Sequence, residues 1–145
     1  MSKILVVYQT FGGKTKALAE AAAEGAASLG AETKVKEVTT VKVDDLSNVD
    51  GVIVATTQPF SSMAGDTKKF FEQLWIGRDK IKKETPFAAI INYKSDPKAT
   101  EASMKTIAGY LGLKPVPGWL TVKADDTEAG KKSARQLGIA MVQGG

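Results

Sequence analysis

Ile4-Leu5-Val6-Val7-Tyr8-Gln9-Thr10-Phe11-Gly12-Gly13-Lys14-Thr15 passes from an unbroken apolar run into a loop of hydroxyls, glycines and one lysine. Leu18, Ala22, Gly25 and Leu29 then follow at helical spacing. The apolar run is continuous rather than alternating, the pattern of a strand covered on both faces of a parallel sheet. Residues 52–55 and 87–91 have the same character, so these three segments belong at the sheet centre. Further helical patterns lie at Phe70, Phe71, Leu74 and Trp75, at Met104, Ile107, Ala108 and Leu111, and at Ala134, Leu137, Gly138 and Met141. Gly30 and Gly112 follow the first and third patterns, where a left-handed residue closes a helix.

Two weaker strands complete the alternation, residues 33–38 and 119–122. The first carries Lys34 and Lys36, as suits an exposed edge that must not pair further. The order is strand-helix repeated to a fifth strand, with four helices, or five if residues 41–49 hold a helical turn. This is an α/β fold with a doubly wound parallel sheet, whose ligands bind outside the carboxyl ends of the strands. At 145 residues, with no linker or repeat, the chain reads as a single domain spanning 1–145.

An apolar fraction of 43% and a charged fraction of 25% are those of a soluble globular protein, without a span long enough for a membrane. The first apolar run is too short for a signal peptide, which implies a cytoplasmic location. No cysteine and no histidine are present, so thiol, iron–sulfur and Ser-His chemistry are excluded and zinc loses its usual ligands. The net charge of +4 comes from scattered lysines rather than a stripe interleaved with aromatics, and no nucleic-acid partner is expected.

The first loop suits a phosphate. Free N–H groups at a helix start carry partial positive charge, glycines let the chain approach an anion, and hydroxyls donate further hydrogen bonds. Thr10 could equally cap the helix while the glycines only turn the chain. Gly13-Lys14-Thr15 imitates the end of a P-loop, but that motif needs glycine where Tyr8 stands. The segment resembles the flavodoxin phosphate loop, Ser/Thr-x-Thr-Gly-x-Thr, laid on Thr10-Phe11-Gly12-Gly13-Lys14-Thr15. Thr10, Gly13 and Thr15 match, whereas Gly12 replaces the middle threonine.

The loop after the second central strand, from Thr57-Gln58-Pro59-Phe60-Ser61-Ser62-Met63 to Lys68-Lys69-Phe70, resembles the second flavin loop of the family. The likeness is strongest to NAD(P)H quinone reductases similar to the tryptophan-repressor-binding protein, with Phe60, Met63, Lys68 and Phe70 at corresponding places and Ser61 where a glycine is usual. Phe60 either covers a flavin ring or sits in the core beside a helix capped by Ser61 or Ser62. The third loop, Asn92-Tyr93-Lys94-Ser95-Asp96-Pro97, supplies Tyr93 as the aromatic that the resemblance would stack on the ring. Lys94 stands in a stretch that is acidic in other flavodoxins, and a cation there would favour the reduced, anionic flavin.

The resemblance implies a flavodoxin-like sheet of five strands in the order 2-1-3-4-5, three layers α/β/α, with FMN as cofactor. It implies a cofactor site made of Thr10, Phe11, Gly12, Gly13, Lys14 and Thr15, of residues 57–63, and of Asn92, Tyr93 and Lys94. No catalytic acid or base and no metal is expected. The function implied is electron transfer through bound flavin, with redox proteins or a small-molecule acceptor as partners. The alternatives are an NAD(P)H-dependent quinone or flavin reductase and a binding module that has lost the cofactor.

Overall fold

The computed structural model describes residues 1–144. Six strand segments form one sheet: β1 (Lys3–Tyr8), β2 (Glu32–Glu37), β3 (Gly51–Thr57), β4 (Pro86–Tyr93), β5 (Lys114–Pro115) and β6 (Leu120–Lys123). Between and after them run α1 (Lys14–Ser28), α2 (Gly65–Ile76), α3 (Lys98–Tyr110) and α4 (Thr127–Val142). Every pairing is parallel and the order is β2-β1-β3-β4-β5, with β6 also on β4. The doubly wound 2-1-3-4-5 sheet expected from the sequence is the one found.

Side chains alternate across the central strands, and both faces are buried. Leu5, Val7, Val54 and Ile91 pack on one side with Phe70, Phe71 and Leu74 of α2 and Met104 and Ala108 of α3. Ile4, Val6, Ile53 and Ile90 pack on the other with Leu18 and Ala22 of α1 and Leu137 and Met141 of α4. These continuous apolar runs are what two covered faces require. On the second side α1 and α4 lie very close, because each offers the other a glycine. A Cβ on Gly25 would collide with the carbonyl of Arg135, and one on Gly138 with that of Ala22.

The fifth strand is the one correction to the expected layout. Instead of a single run at 119–122, its line along β4 is split into β5 and β6. Phe87 pairs with Pro115 and Ile90 with Leu120, so residues 116–119 bulge opposite Ala88 and Ala89. Pro117 has no N–H to give a ladder, and Gly118 takes φ +83, so the chain leaves the sheet and returns. Trp119 fills the interruption: its Nε1 donates to Phe87 O at 3.2 Å and its ring packs edge-on to Phe87.

Gly30 (φ +86) and Gly112 (φ +75) do close α1 and α3. At each end paired bonds run back to the last turn, Ala31 N to Ala26 O and Gly30 N to Ala27 O, then Leu113 N to Ala108 O and Gly112 N to Gly109 O. Residues 41–49 contain a 3-10 turn, Val43–Leu46, rather than a fifth α-helix. Asp45 in that turn accepts from Lys42 N and from Lys36 Nζ, both at 2.9 Å, which ties the turn to edge strand β2. Burial by itself would raise the Asp45 carboxyl, but these two donors and the nearby Lys34 charge hold it below its ordinary value. Among the described residues no helix is long and apolar enough to cross a membrane.

Candidate functional site

The carboxyl ends of β1, β3 and β4 lie side by side, with Tyr8 opposite Ala55 and Thr57 opposite Asn92. Because β2 and β3 flank β1 on opposite sides, the chain order reverses there and leaves a crevice. A cavity of about 520 Å³ opens at that place. Thr10, Phe11, Gly12, Lys14 and Thr15 line it from the first loop, Thr57, Gln58, Pro59, Phe60 and Ser61 from the second, and Asn92 and Lys94 from the third. Ser95 and Ala124 complete the wall; Ser95 lies in the third loop without being singled out there, and Ala124 had no signal in the sequence.

In the first loop only Gly13 needs to be glycine, since it takes φ +98 immediately before α1. Gly12 has no positive φ, and a Cβ there would meet nothing within 4 Å. Thr10 Oγ1 accepts from Gly13 N–H at 2.9 Å, which fixes the turn and leaves the hydroxyl proton free to donate outward. The first helical bond of α1 is Ala17 N to Gly13 O at 3.0 Å, so the N–H groups of Lys14, Thr15 and Lys16 have no partner within the helix and can meet an anion. Lys14 Nζ reaches Ala124 O at 3.3 Å and adds a positive charge at the cavity. Thr15 differs from Thr10: it is fully buried, and its hydroxyl donates to Asn92 Oδ1 at 3.1 Å.

The second loop is tied down on both sides by buried amides. Gln9 Oε1 accepts from Thr57 N at 2.9 Å and Thr57 Oγ1 at 2.7 Å, joining the first loop to the second. Gln58 Nε2 donates to Ser95 O at 3.0 Å and Asp96 O at 3.3 Å, joining the second to the third. Its Oε1 is buried without a partner. Between these anchors Phe60 and Ser61 take φ 55 and φ 62, a left-handed pair costly for residues other than glycine. Ser61 thus occupies the position where the resemblance expects glycine, and the backbone there has the conformation glycine favours. Phe60 is 102% exposed, so the core alternative for it is set aside.

Four expected site residues, Gly13, Ser62, Met63 and Tyr93, fall outside the wall of this cavity. Met63 is buried among the side chains packed between the sheet and α2 and α3, Ser62 is exposed, and Tyr93 is half-buried against that same core. Gly13 lines the adjoining cavity of about 360 Å³, which shares Gly12, Lys14 and Ala124 with the larger one and has Asp125, Thr127 and Glu128 in its wall. The residues around the larger cavity include two lysines and no carboxylate. Such a wall suits an anionic ligand with an apolar part, the latter facing Phe11, Pro59 and Phe60.

No family model matches the chain. A flavodoxin of Aquifex aeolicus is 37% identical over 75 residues, 51% of this chain and 40% of that one. An NAD(P)H dehydrogenase (quinone) of Acidithiobacillus ferrooxidans is 30% identical over 138 residues, covering 78% of this chain and 69% of the relative. The chain belongs to the flavodoxin-like family. Among solved structures, a flavodoxin from the domain Archaea superposes with a TM-score of 0.87 at 22% identity, covering 97% of this chain and 96% of that one. Against the Aquifex flavodoxin and a Cupriavidus metallidurans NAD(P)H dehydrogenase (quinone), the chain spans only 40% and 50% of the relative's length.

FMN is the cofactor of the flavodoxin-like family, and the residues present fit it. The donors and the lysine of the first loop suit its phosphate, and the apolar side chains of the first two loops suit its ring. Gln58 Oε1 lacks a donor in the protein itself. A volume of about 520 Å³ lies within the ~300–1,000 Å³ usual for cofactor sites.

Proposed function

We propose that this flavodoxin-like protein carries electrons on FMN held in the cavity above β1, β3 and β4. The observation that carries this reading is the first loop, where Thr10, Gly13, Lys14 and the open end of α1 converge beside an apolar cavity. Thr10 donates its free proton to the phosphate, the α1 N–H groups donate alongside it, and Lys14 neutralises charge. Phe60 and Phe11 cover the ring's apolar surface, while residues 57–61 present backbone groups to its polar edge. The bound flavin supplies the electron chemistry, and the protein sets its orientation, access and potential. Lys94 at the cavity wall favours added negative charge on the ligand.

The reading is tested by the flavin that accompanies the protein as purified. Flavin released on denaturation and identified as FMN, one per chain, is the expected result. A colourless protein that takes up no FMN when titrated would contradict it and favour a flavodoxin fold that has lost the cofactor.

A second reading is favoured by the Acidithiobacillus relative, which is an NAD(P)H dehydrogenase (quinone). In that reading the FMN-loaded protein takes hydride from NAD(P)H and passes two electrons to a quinone or a free flavin. Steady oxidation of NAD(P)H that requires added quinone would establish it. Reduction only by a partner protein would leave the carrier reading in place, and in either case the partner is a redox protein or small-molecule acceptor, with a cytoplasmic location.

A further inference from the structure

Both polar ends of the Asn92 side chain are engaged by protein. Nδ2 donates to Val122 O at 3.0 Å and lies 3.4 Å from Thr127 Oγ1. A carbonyl can only accept, so Nδ2 must face Val122 and Oδ1 must face Thr15. Oδ1 can only accept as well, so the single hydroxyl proton of Thr15 is committed to it, at 3.1 Å. Thr127 spends its own proton on Ala124 O at 2.8 Å, and this carbonyl also takes Lys14 Nζ at 3.3 Å. The result is a closed circuit, Lys14 to Ala124 to Thr127 to Asn92 to Thr15, that leaves the first turn of α1 and returns to it.

The circuit spans α1, β4, the turn that follows β6 and the start of α4. Thr15 is 0% exposed, Asn92 7% and Thr127 6%, so water does not substitute at low cost for the bonds among these three, whereas the Lys14–Ala124 bond is exposed. A hydroxyl already donating to an amide cannot also donate to an anion. Thr15 therefore matches the phosphate-loop pattern without having a proton for the phosphate.

We propose that Asn92 is the positioning residue of the anion-binding turn. It holds Thr15 directly and Lys14 through Thr127 and Ala124, so preference for a phosphorylated flavin depends on Asn92 and Thr127, though neither bonds the phosphate. The inference rests on the FMN reading above and assigns to Thr15 an indirect role. Thr127 carries the most discriminating test, because it lies outside the larger cavity and, although it lines the adjoining one, its hydroxyl bonds Asn92 and Ala124 and no residue of the first loop.

The experiment is a titration of FMN and of riboflavin into the purified, flavin-free protein and into Thr15→Val, Thr127→Val, their double variant, Thr15→Ser and Thr127→Ser. Each valine variant should weaken FMN binding by about tenfold and riboflavin binding by less than about twofold, and each serine variant should restore the FMN affinity. The double variant should be little worse than either single one, because both break one circuit. Without ligand, hydrogen exchange at the Ala17 amide, the first bond of α1, should be faster in both valine variants. An unchanged ratio of FMN to riboflavin affinity in folded variants would overturn the proposal, as would fully additive losses, which mark Thr15 as a direct phosphate donor. Failure of the unmodified protein to bind FMN would instead overturn the cofactor reading on which it rests.

Discussion

Gly12 and Gly13 are adjacent in the sequence yet answer to different constraints. Gly13 sits at φ +98, where a side chain is strained whatever the space around it, whereas Gly12 has an ordinary φ and open space where a Cβ would go. Gly12→Thr should therefore fold normally and tighten FMN binding by up to about tenfold, since one charge-assisted donor is worth ~1.5–3 kcal/mol before ordering costs. Gly13→Ala should lose about 1–2 kcal/mol of stability and weaken FMN together with it. Chemical denaturation and flavin titration of the two variants separate these effects. Most of the cavity wall was legible from the residues that follow each central strand. Illegible were features set by partners distant in the chain: the commitment of Thr15 to Asn92, the bonds from Gln9 to Thr57, and the turn of Tyr93 towards the core. The left-handed Ser61 was half legible, through the glycine that the resemblance expects there.

At the scale of elements, the close approach of α1 and α4 depends on Gly25 and Gly138 more than on any large side chain. Gly138→Ala should destabilise the fold by about 1–3 kcal/mol, because the new methyl meets backbone that cannot rotate away, and thermal melting would read it directly. The Asp45 turn gives a pH dependence with a definite sign. Its carboxyl is lowered in the folded state, so its stabilising effect is present above the unfolded pKa and disappears as pH falls through the folded one. The stability difference between the unmodified protein and Asp45→Asn should therefore be largest above about pH 4 and close at lower pH, as measured by urea unfolding. The central strands and all four helices were readable because their apolar periodicity reports burial directly. The split fifth strand was not, since it depends on how Trp119 and Pro117 fit against Phe87, which is a matter of register rather than of pattern.

Across the whole molecule, a net charge of +4 and a cavity wall with Lys14 and Lys94 but no carboxylate form an environment that favours electrons on the ligand. Lys94→Glu should lower the two-electron midpoint potential of bound flavin by about 30 mV at low salt, corresponding to ~1.4 kcal/mol, and the shift should shrink as salt is added. A spectroelectrochemical titration at two ionic strengths would measure it, and an unchanged potential would place Lys94 away from the flavin. In the proposed FMN-loaded protein the first loop holds the phosphate and the apolar side chains of the first two loops cover the flavin ring. Paired titration of the flavin-free protein with FMN and riboflavin tests this arrangement most directly. FMN should bind at least about a hundredfold more tightly, the equivalent of ~2.7 kcal/mol contributed by the phosphate contacts; equal affinities for the two flavins would contradict the account.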